Sequence, residues 1–187
     1  VTIAGTGTPG FGGDGGPASA ALLSSPADVA IDDTGTLLYI AENGNRRIRV
    51  VDLSSGIVST FFGDGTLEPL PPPVSIAVSG GALWIASQTS KVYRLEGGVL
   101  VLAAGGGGNF GPAAGIADPR QQTLSAVQGI APDGTIWFGG EYRGPVLFRY
   151  DPTAEKAGGE KLQSFTWNDG LIHGESGAPS TTPFDHR

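Results

Sequence analysis

Apolar and polar positions alternate in short runs along this chain, and the runs come in fours. The first set is Pro26-Ala-Asp-Val-Ala-Ile31, Leu38-Tyr-Ile-Ala-Glu42, Ile48-Arg-Val-Val-Asp52 and Ile57-Val-Ser-Thr-Phe-Phe62, with a turn at Asp33-Thr-Gly35. The second is Pro73-Val-Ser-Ile-Ala-Val78, Leu83-Trp-Ile-Ala-Ser87, Val92-Tyr-Arg-Leu95 and Val99-Leu-Val-Leu102, with Gly80-Gly81 as the first turn. The third is Val127-Gln-Gly-Ile-Ala131, Ile136-Trp-Phe-Gly-Gly140, Val146-Leu-Phe-Arg-Tyr150 and Leu162-Gln-Ser-Phe165, with Asp133-Gly134. Short runs rich in β-branched and aromatic residues, bounded by Gly, Asp and Asn, predict antiparallel strands and not helices.

Pro26, Pro73 and Ala126 hold the same place in the three sets, at spacings of 47 (26 to 73) and 53 (73 to 126) residues. Four short strands per unit at such a period predict the blades of a β-propeller. The expected fold is therefore all-β, a single segment over 1–187 with four-stranded blades at 26–62, 73–102 and 127–166. Val1-Thr-Ile-Ala-Gly5 resembles the end of each unit, as in Val58-Ser-Thr-Phe-Phe-Gly63, and is expected as the outer strand of a neighbouring blade (1–5). Residues 168–187 read as a tail or the start of a next blade. Helix is expected to be limited to a turn or two near Ala18–Leu23.

The connections differ in length. Thr6 to Ser25 is long and Gly-rich, and a shorter echo follows at Gly105-Gly-Gly-Gly-Asn-Phe-Gly-Pro-Ala-Ala114. The connection from Asp64 to Pro73 is short and proline-rich. The run Gly5-Thr-Gly-Thr-Pro-Gly-Phe-Gly-Gly-Asp-Gly-Gly-Pro-Ala18, with Ser25-Pro26, Leu38-Tyr-Ile-Ala41, Asn43, Asn45-Arg46 and Ile48-Arg49, resembles an NHL-repeat protein. The match covers residues 1–65. Later units depart from it, Asn45-Arg46 becoming Ser90-Lys91 and then Gly144-Pro145. The resemblance implies a propeller, usually six-bladed, of which this segment would be half. It does not imply one activity, since the family holds protein- and RNA-binding modules as well as a few lyases and hydrolases.

Composition narrows the partners. Gly 32 and Pro 14 sit between the apolar runs, the pattern of an all-β chain with tight turns. A net charge of −7 argues against nucleic acid, whose phosphates need clustered Lys and Arg. No apolar run approaches the ~20 residues of a membrane span. Cysteine is absent, which removes disulfides and thiolate metal sites. Methionine is absent too and the chain starts at Val1, which reads as a processed or excised segment.

Gly10-Phe-Gly-Gly-Asp-Gly15 satisfies a dinucleotide fingerprint literally, with Asp32 and Asp33 downstream. A Rossmann turn must open a helix that crosses the sheet, and Pro26 ends any helix here within two turns. A glycine-rich connection with positive φ is the expected reading. Tyr39, Trp84 and Trp137 recur on the second strand of each unit, as rings filling the wedge between blades. Arg46, Arg47, Arg49, Lys91, Arg94 and Arg149 fall on or near third strands and are expected to be solvated or paired with Asp52, Glu96 and Asp151. His173 and His186, with Ser176 and Asp185 nearby in sequence, carry no spacing that fixes a triad.

Asp28, Ser75 and Gln128 recur on first strands, and Glu42, Asn43, Gln88 and Glu141 end the second strands. First strands of a propeller line its channel, so Asp28, Glu42, Asn43, Gln128 and Glu141 are the expected ligand-binding residues. No residue is assigned a catalytic or metal-binding role and no cofactor is expected. Ca²⁺ is the cation such oxygens would suit. The favoured reading is a binding or scaffold module, not an enzyme, extracellular or periplasmic, meeting a protein or small ligand. Self-association or another chain would complete the ring. Two alternatives stay open: part of a propeller enzyme (a metal-dependent lactonase-like hydrolase or an amidating-type lyase), and a structural subunit of an assembly.

Overall fold

The computed structural model describes residues 1–66, 69–106, 126–130, 136–141, 145–150, 162–168 and 171–174, with side chains described up to residue 106. Among them the first sheet is β1 (Pro26–Ile31), β2 (Leu37–Glu42), β3 (Arg47–Asp52) and β4 (Ile57–Phe62). The second is β5 (Pro73–Ser79), β6 (Ala82–Ser87), β7 (Val92–Glu96) and β8 (Val99–Ala104). The third is β9 (Ala126–Ile130), β10 (Ile136–Glu141), β11 (Pro145–Tyr150), β12 (Leu162–Asn168) and β13 (Leu171–Gly174). Each strand pairs with its neighbours in sequence, so every sheet is a meander.

The turns follow from local chemistry. Between β1 and β2, Asp32 accepts the backbone N–H of Thr36 at 2.7 Å and of Leu37 at 2.8 Å, and the Thr34 hydroxyl. These bonds hold its carboxyl down at about 2, below the ordinary 3.8, the Leu37 N–H being the largest cause. Gly35 takes the left-handed conformation that closes the turn, at φ 73°. Asp52 and Asp64 repeat the device with Ser54 and Thr66, whose side-chain hydroxyls are the main cause of their lowered pKa values.

All three inner strands carry a register irregularity near their start. It lies between Pro26 and Asp28 on β1, between Pro73 and Ser75 on β5, and opposite Trp137–Gly139 on β9. A bulge at a repeated place re-aims the residues beyond it.

Two compact units divide the chain, Val1–Thr89 with Tyr93–Val101, and Ser90–Val92 with Leu102–Arg187. In the first, one side of the first sheet packs on the second sheet. Tyr39, Ala41 and Ile48 meet Leu70, Ile76, Leu83, Ile85 and Leu95 there. Tyr39 is buried and sets its ring edge-on to Phe61 at 4.9 Å, the wedge-filling role expected of the ring stripe.

The opposite side of the first sheet is covered by the Gly-rich segment. Ala18, Ala21, Leu23 and Ala4 pack on Leu38, Ile40, Val51 and Val58. The segment also runs along β4: Gly15 N–H donates to the Val58 carbonyl at 2.8 Å, Val58 N–H to Gly16 at 3.0 Å, and Ala18 N–H to Gly56 at 2.8 Å. An otherwise open sheet edge is thereby paired. Residues 5–25 form a strap across the sheet, not a helix-opening nucleotide loop. A single 3-10 turn interrupts it, Ala18–Ala20. No helix among the described residues is long and apolar enough to cross a membrane.

Two expectations differ from the structure. Val1–Gly5 forms no strand ladder among the described residues; Gly5 N–H donates to Ala18 at 2.9 Å and Thr6 N–H to Ala21 at 3.1 Å, so this end is drawn into the strap. Leu171–Gly174, read as tail or next blade, is instead a fifth strand of the third sheet, with Asn168 opposite Leu171 and Thr166 opposite His173. Ser176, Asp185 and His186 lie outside the described residues.

Candidate functional site

Three of the candidate residues, Asp28, Glu42 and Asn43, lie at the neighbouring ends of β1 and β2. Beyond its bulge, β1 alternates: Asp28 and Ala30 are part-buried, whereas Val29 and Ile31 are exposed. Asp28 Oδ2 accepts the Ser75 hydroxyl at 2.8 Å and the Ile76 N–H at 2.9 Å, and Oδ1 accepts its neighbour Val29 N–H at 2.8 Å. The carboxylate ties one inner strand to the next.

Asn43 makes a second tie. Its Nδ2 donates to the Pro73 carbonyl at 3.1 Å, and its backbone N–H donates to Ser25 at 3.1 Å. Gln88 N–H donates to Pro72 at 2.9 Å, a third bond at the same end of the sheets.

Glu42 is fully buried. Its Oε1 accepts the Ser24 N–H at 2.9 Å and Asn45 Nδ2 at 2.7 Å, and its Oε2 faces Arg49 Nη1 at 3.4 Å. Arg49 is buried as well and reaches Asp14 Oδ1 at 2.5 Å and the Gly12 carbonyl at 3.3 Å through Nη2. Asp14 Oδ2 accepts the Thr60 hydroxyl at 2.7 Å. Phe11 closes the cluster from above, with Arg47 3.9 Å and Arg49 5.1 Å from its ring centre. A charged pair that is out of water needs its remaining lone pairs filled, and the strap's backbone and Asn45 do that for Glu42.

The third-strand arginines therefore differ from the expectation of solvated or simply paired charges. Among the described side chains Arg94 fits it, meeting Glu96 at 2.7 Å, and the side chain of Arg149 lies outside the described residues. Arg46 and Arg47 donate to the carbonyls of Gly65 and Asp64, and Arg47 also to Asn45 at 3.1 Å, fixing the turns around the strap. Asp52 is occupied by its own turn, and Asp151 lies outside the described residues.

Of the five expected ligand-binding residues, Asp28 and Asn43 bond to the second sheet, whereas Glu42 turns to the other face of the first sheet and bonds to the strap and Arg49. Gln128 lies on β9 and Glu141 on β10 opposite Pro145; their side chains are outside the described residues. Among the described residues no three His, Asp or Glu side chains gather as a metal site.

Sequence reasoning missed Asp14, Ser24 and the burial of Arg49. A signal was present. Unit one has a long strap with Glu42 and Arg49; unit two has a short connection with Ser87 and Tyr93 in their places. The buried charges occur together with the segment that covers them.

What remains bare is apolar. Val29 and Ile31 are 56% and 54% exposed, yet their cross-strand partners Ile40 and Leu38 lie under the strap. In the second sheet Ile76 takes the place of Val29 and is 4% exposed, packed against the first sheet.

No protein-family model matches the chain, and no curated protein matches it. Among solved structures, a chain of a nidogen/laminin complex gives a TM-score of 0.51 at 13% identity, covering 80% of this chain and 50% of that one. A structural-genomics protein of unknown function from Bacteroides thetaiotaomicron gives 0.47 at 14%, over 66% and 32%. BamB from Moraxella catarrhalis gives 0.43 at 12%, over 81% and 44%. The chain spans about half the length of the nidogen/laminin-complex chain it matches. With its repeated antiparallel meanders, the protein has the fold of part of a β-propeller.

Proposed function

We propose that this chain is a non-enzymatic binding or scaffold module that presents the bare side of β1 to a protein, and that this partner is a second copy of the chain. The carrying observation is the contrast between Val29, 56% exposed, and its counterpart Ile76, 4% exposed between two sheets. A position buried in one repeat and bare in another marks a surface shaped for a sheet of the same kind. The complementary sheet would present small and aromatic residues, as Ala30, Tyr39 and Ala41 do toward the second sheet. The polar groups that could have served a ligand, on Asp28, Glu42 and Asn43, are engaged in internal bonds, which favours an apolar protein contact over a small polar ligand. We further assign residues 1–65 to the NHL-repeat type, supported by the joint use of Asp14, Asn45 and Arg49 to hold the strap.

Sedimentation of the purified chain tests the reading. It should show self-association that the double substitution Val29→Asp and Ile31→Asp abolishes while near-UV dichroism is unchanged. A wild type that stays a 19.0 kDa monomer at every concentration refutes it.

A further inference from the structure

Asn43 is followed by Gly44, and the fold fixes both residues. A side chain at 44 is barred because Ser24 of the strap crosses so closely that a Cβ would collide with its Oγ and lie 3.0 Å from its carbonyl oxygen. Asparagine at 43 is needed as the donor to Pro73. Glycine leaves its own nitrogen unshielded, so an Asn-Gly pair is where a backbone nitrogen most readily reaches the preceding side-chain carbonyl carbon.

We propose that Asn43 is a site of spontaneous deamidation whose rate is set by undocking of the strap. Gly44 nitrogen, on losing its proton, attacks Asn43 Cγ. A C–N bond forms, the Cγ–Nδ2 bond breaks, and Nδ2 leaves with the proton as ammonia. Water then opens either C–N bond of the resulting cyclic imide, giving aspartate or isoaspartate. Water is the only co-reactant.

In the docked state both participants are engaged. Gly44 N–H is donated to the Ser24 carbonyl at 3.2 Å, and Nδ2 to Pro73 at 3.1 Å. Reaction requires the strap to lift at Ser24, a local opening that needs far less than global unfolding. The strap's attachment is therefore the gate: Asp14 on Arg49 and Thr60, and Ser24 on Glu42. The product carboxylate no longer donates to Pro73 and sets an oxygen against that carbonyl, so reaction severs one tie between the first and second sheets.

The folded protein is held at mildly alkaline pH, and Asn43 is followed by peptide mass mapping and enzymatic isoaspartate labelling. Asp14→Ala removes the strap's bonds to Arg49 and Thr60 without touching Asn43 or Gly44. It should speed conversion by about 5- to 30-fold, the effect of easing the opening by about 1–2 kcal/mol. Thr60→Val, which removes a single bond to Asp14, should give a smaller acceleration and serves if the first variant does not fold. A free peptide of residues 39–50 sets the ungated rate. Equal rates in wild type and the folded variant overturn the gating, as does a wild type that reacts as fast as the peptide.

Discussion

Arg49 decides the most at the level of single residues. Its guanidinium is out of water between Glu42, equally buried, and Asp14, whose side chain is 38% exposed. Taking away one partner of a buried pair leaves the other charge stranded, at about 3–5 kcal/mol. Arg49→Met should lose that much in urea unfolding. Asp14→Asn should lose under about 1 kcal/mol, because water reaches that carboxylate. Acid titration reads a different residue. Asp32 is lowered to about 2 from 3.8, so its contribution is complete above 3.8 and disappears as pH falls through about 2. Asp32→Asn should flatten the acid limb of a stability–pH curve in that window and lower stability at neutral pH, where the contribution of the carboxylate is complete. The strand positions of Asp28 and Glu42, with Asn43 next to Glu42, were legible from the repeat. Their roles were not, because burial of Glu42 depends on Ser24, eighteen positions upstream, and that of Arg49 on Asp14. Periodicity carries no information on which segment folds back over which strand.

At the level of elements, alternation and turn residues made the strands readable, and the Asp32-type turns explain why. The strap was misjudged as a connection and nothing more, because its apolar residues, Ala18, Ala21 and Leu23, follow no strand or helix period. β13 was missed although Asp169-Gly170 separates the paired Asn168 and Leu171, and Asp-Gly is a strong two-residue hairpin signal. Docking of the strap depends on Gly13. Its φ is +89°, and a Cβ there would lie 2.8 Å from the Ala21 Cα. Backbone cannot yield as a flexible side chain can, so Gly13→Ala should cost about 1–3 kcal/mol. Hydrogen exchange locates the loss: the Val58 amide, bonded to Gly16, should exchange faster, while the amides of β2 keep their protection.

At the level of the whole molecule, the question is what covers the first sheet where the strap stops. Leu38, Ile40, Val51 and Val58 have a cover; Val29 and Ile31 do not. Two side chains fall short of the ~800 Å² per partner that a stable interface buries. The exposed Ile3, just before the strap, and Phe11 on it offer further apolar area. Association through this surface would be of the fold's own kind, sheet side against sheet side, and would relieve the exposure that the repeat elsewhere avoids. It also couples stability to concentration, since a partner that binds only the folded form raises the midpoint by mass action. The thermal midpoint of the wild type should therefore rise with protein concentration. Val29→Asp with Ile31→Asp should abolish that rise, and because both positions are exposed the variant's dilute-limit midpoint should stay close to that of the wild type. Arg94→Ala, which removes an exposed pair with Glu96, should keep the concentration dependence intact. A wild-type midpoint that is the same at all concentrations would mean that this side of β1 does not pair with a second copy.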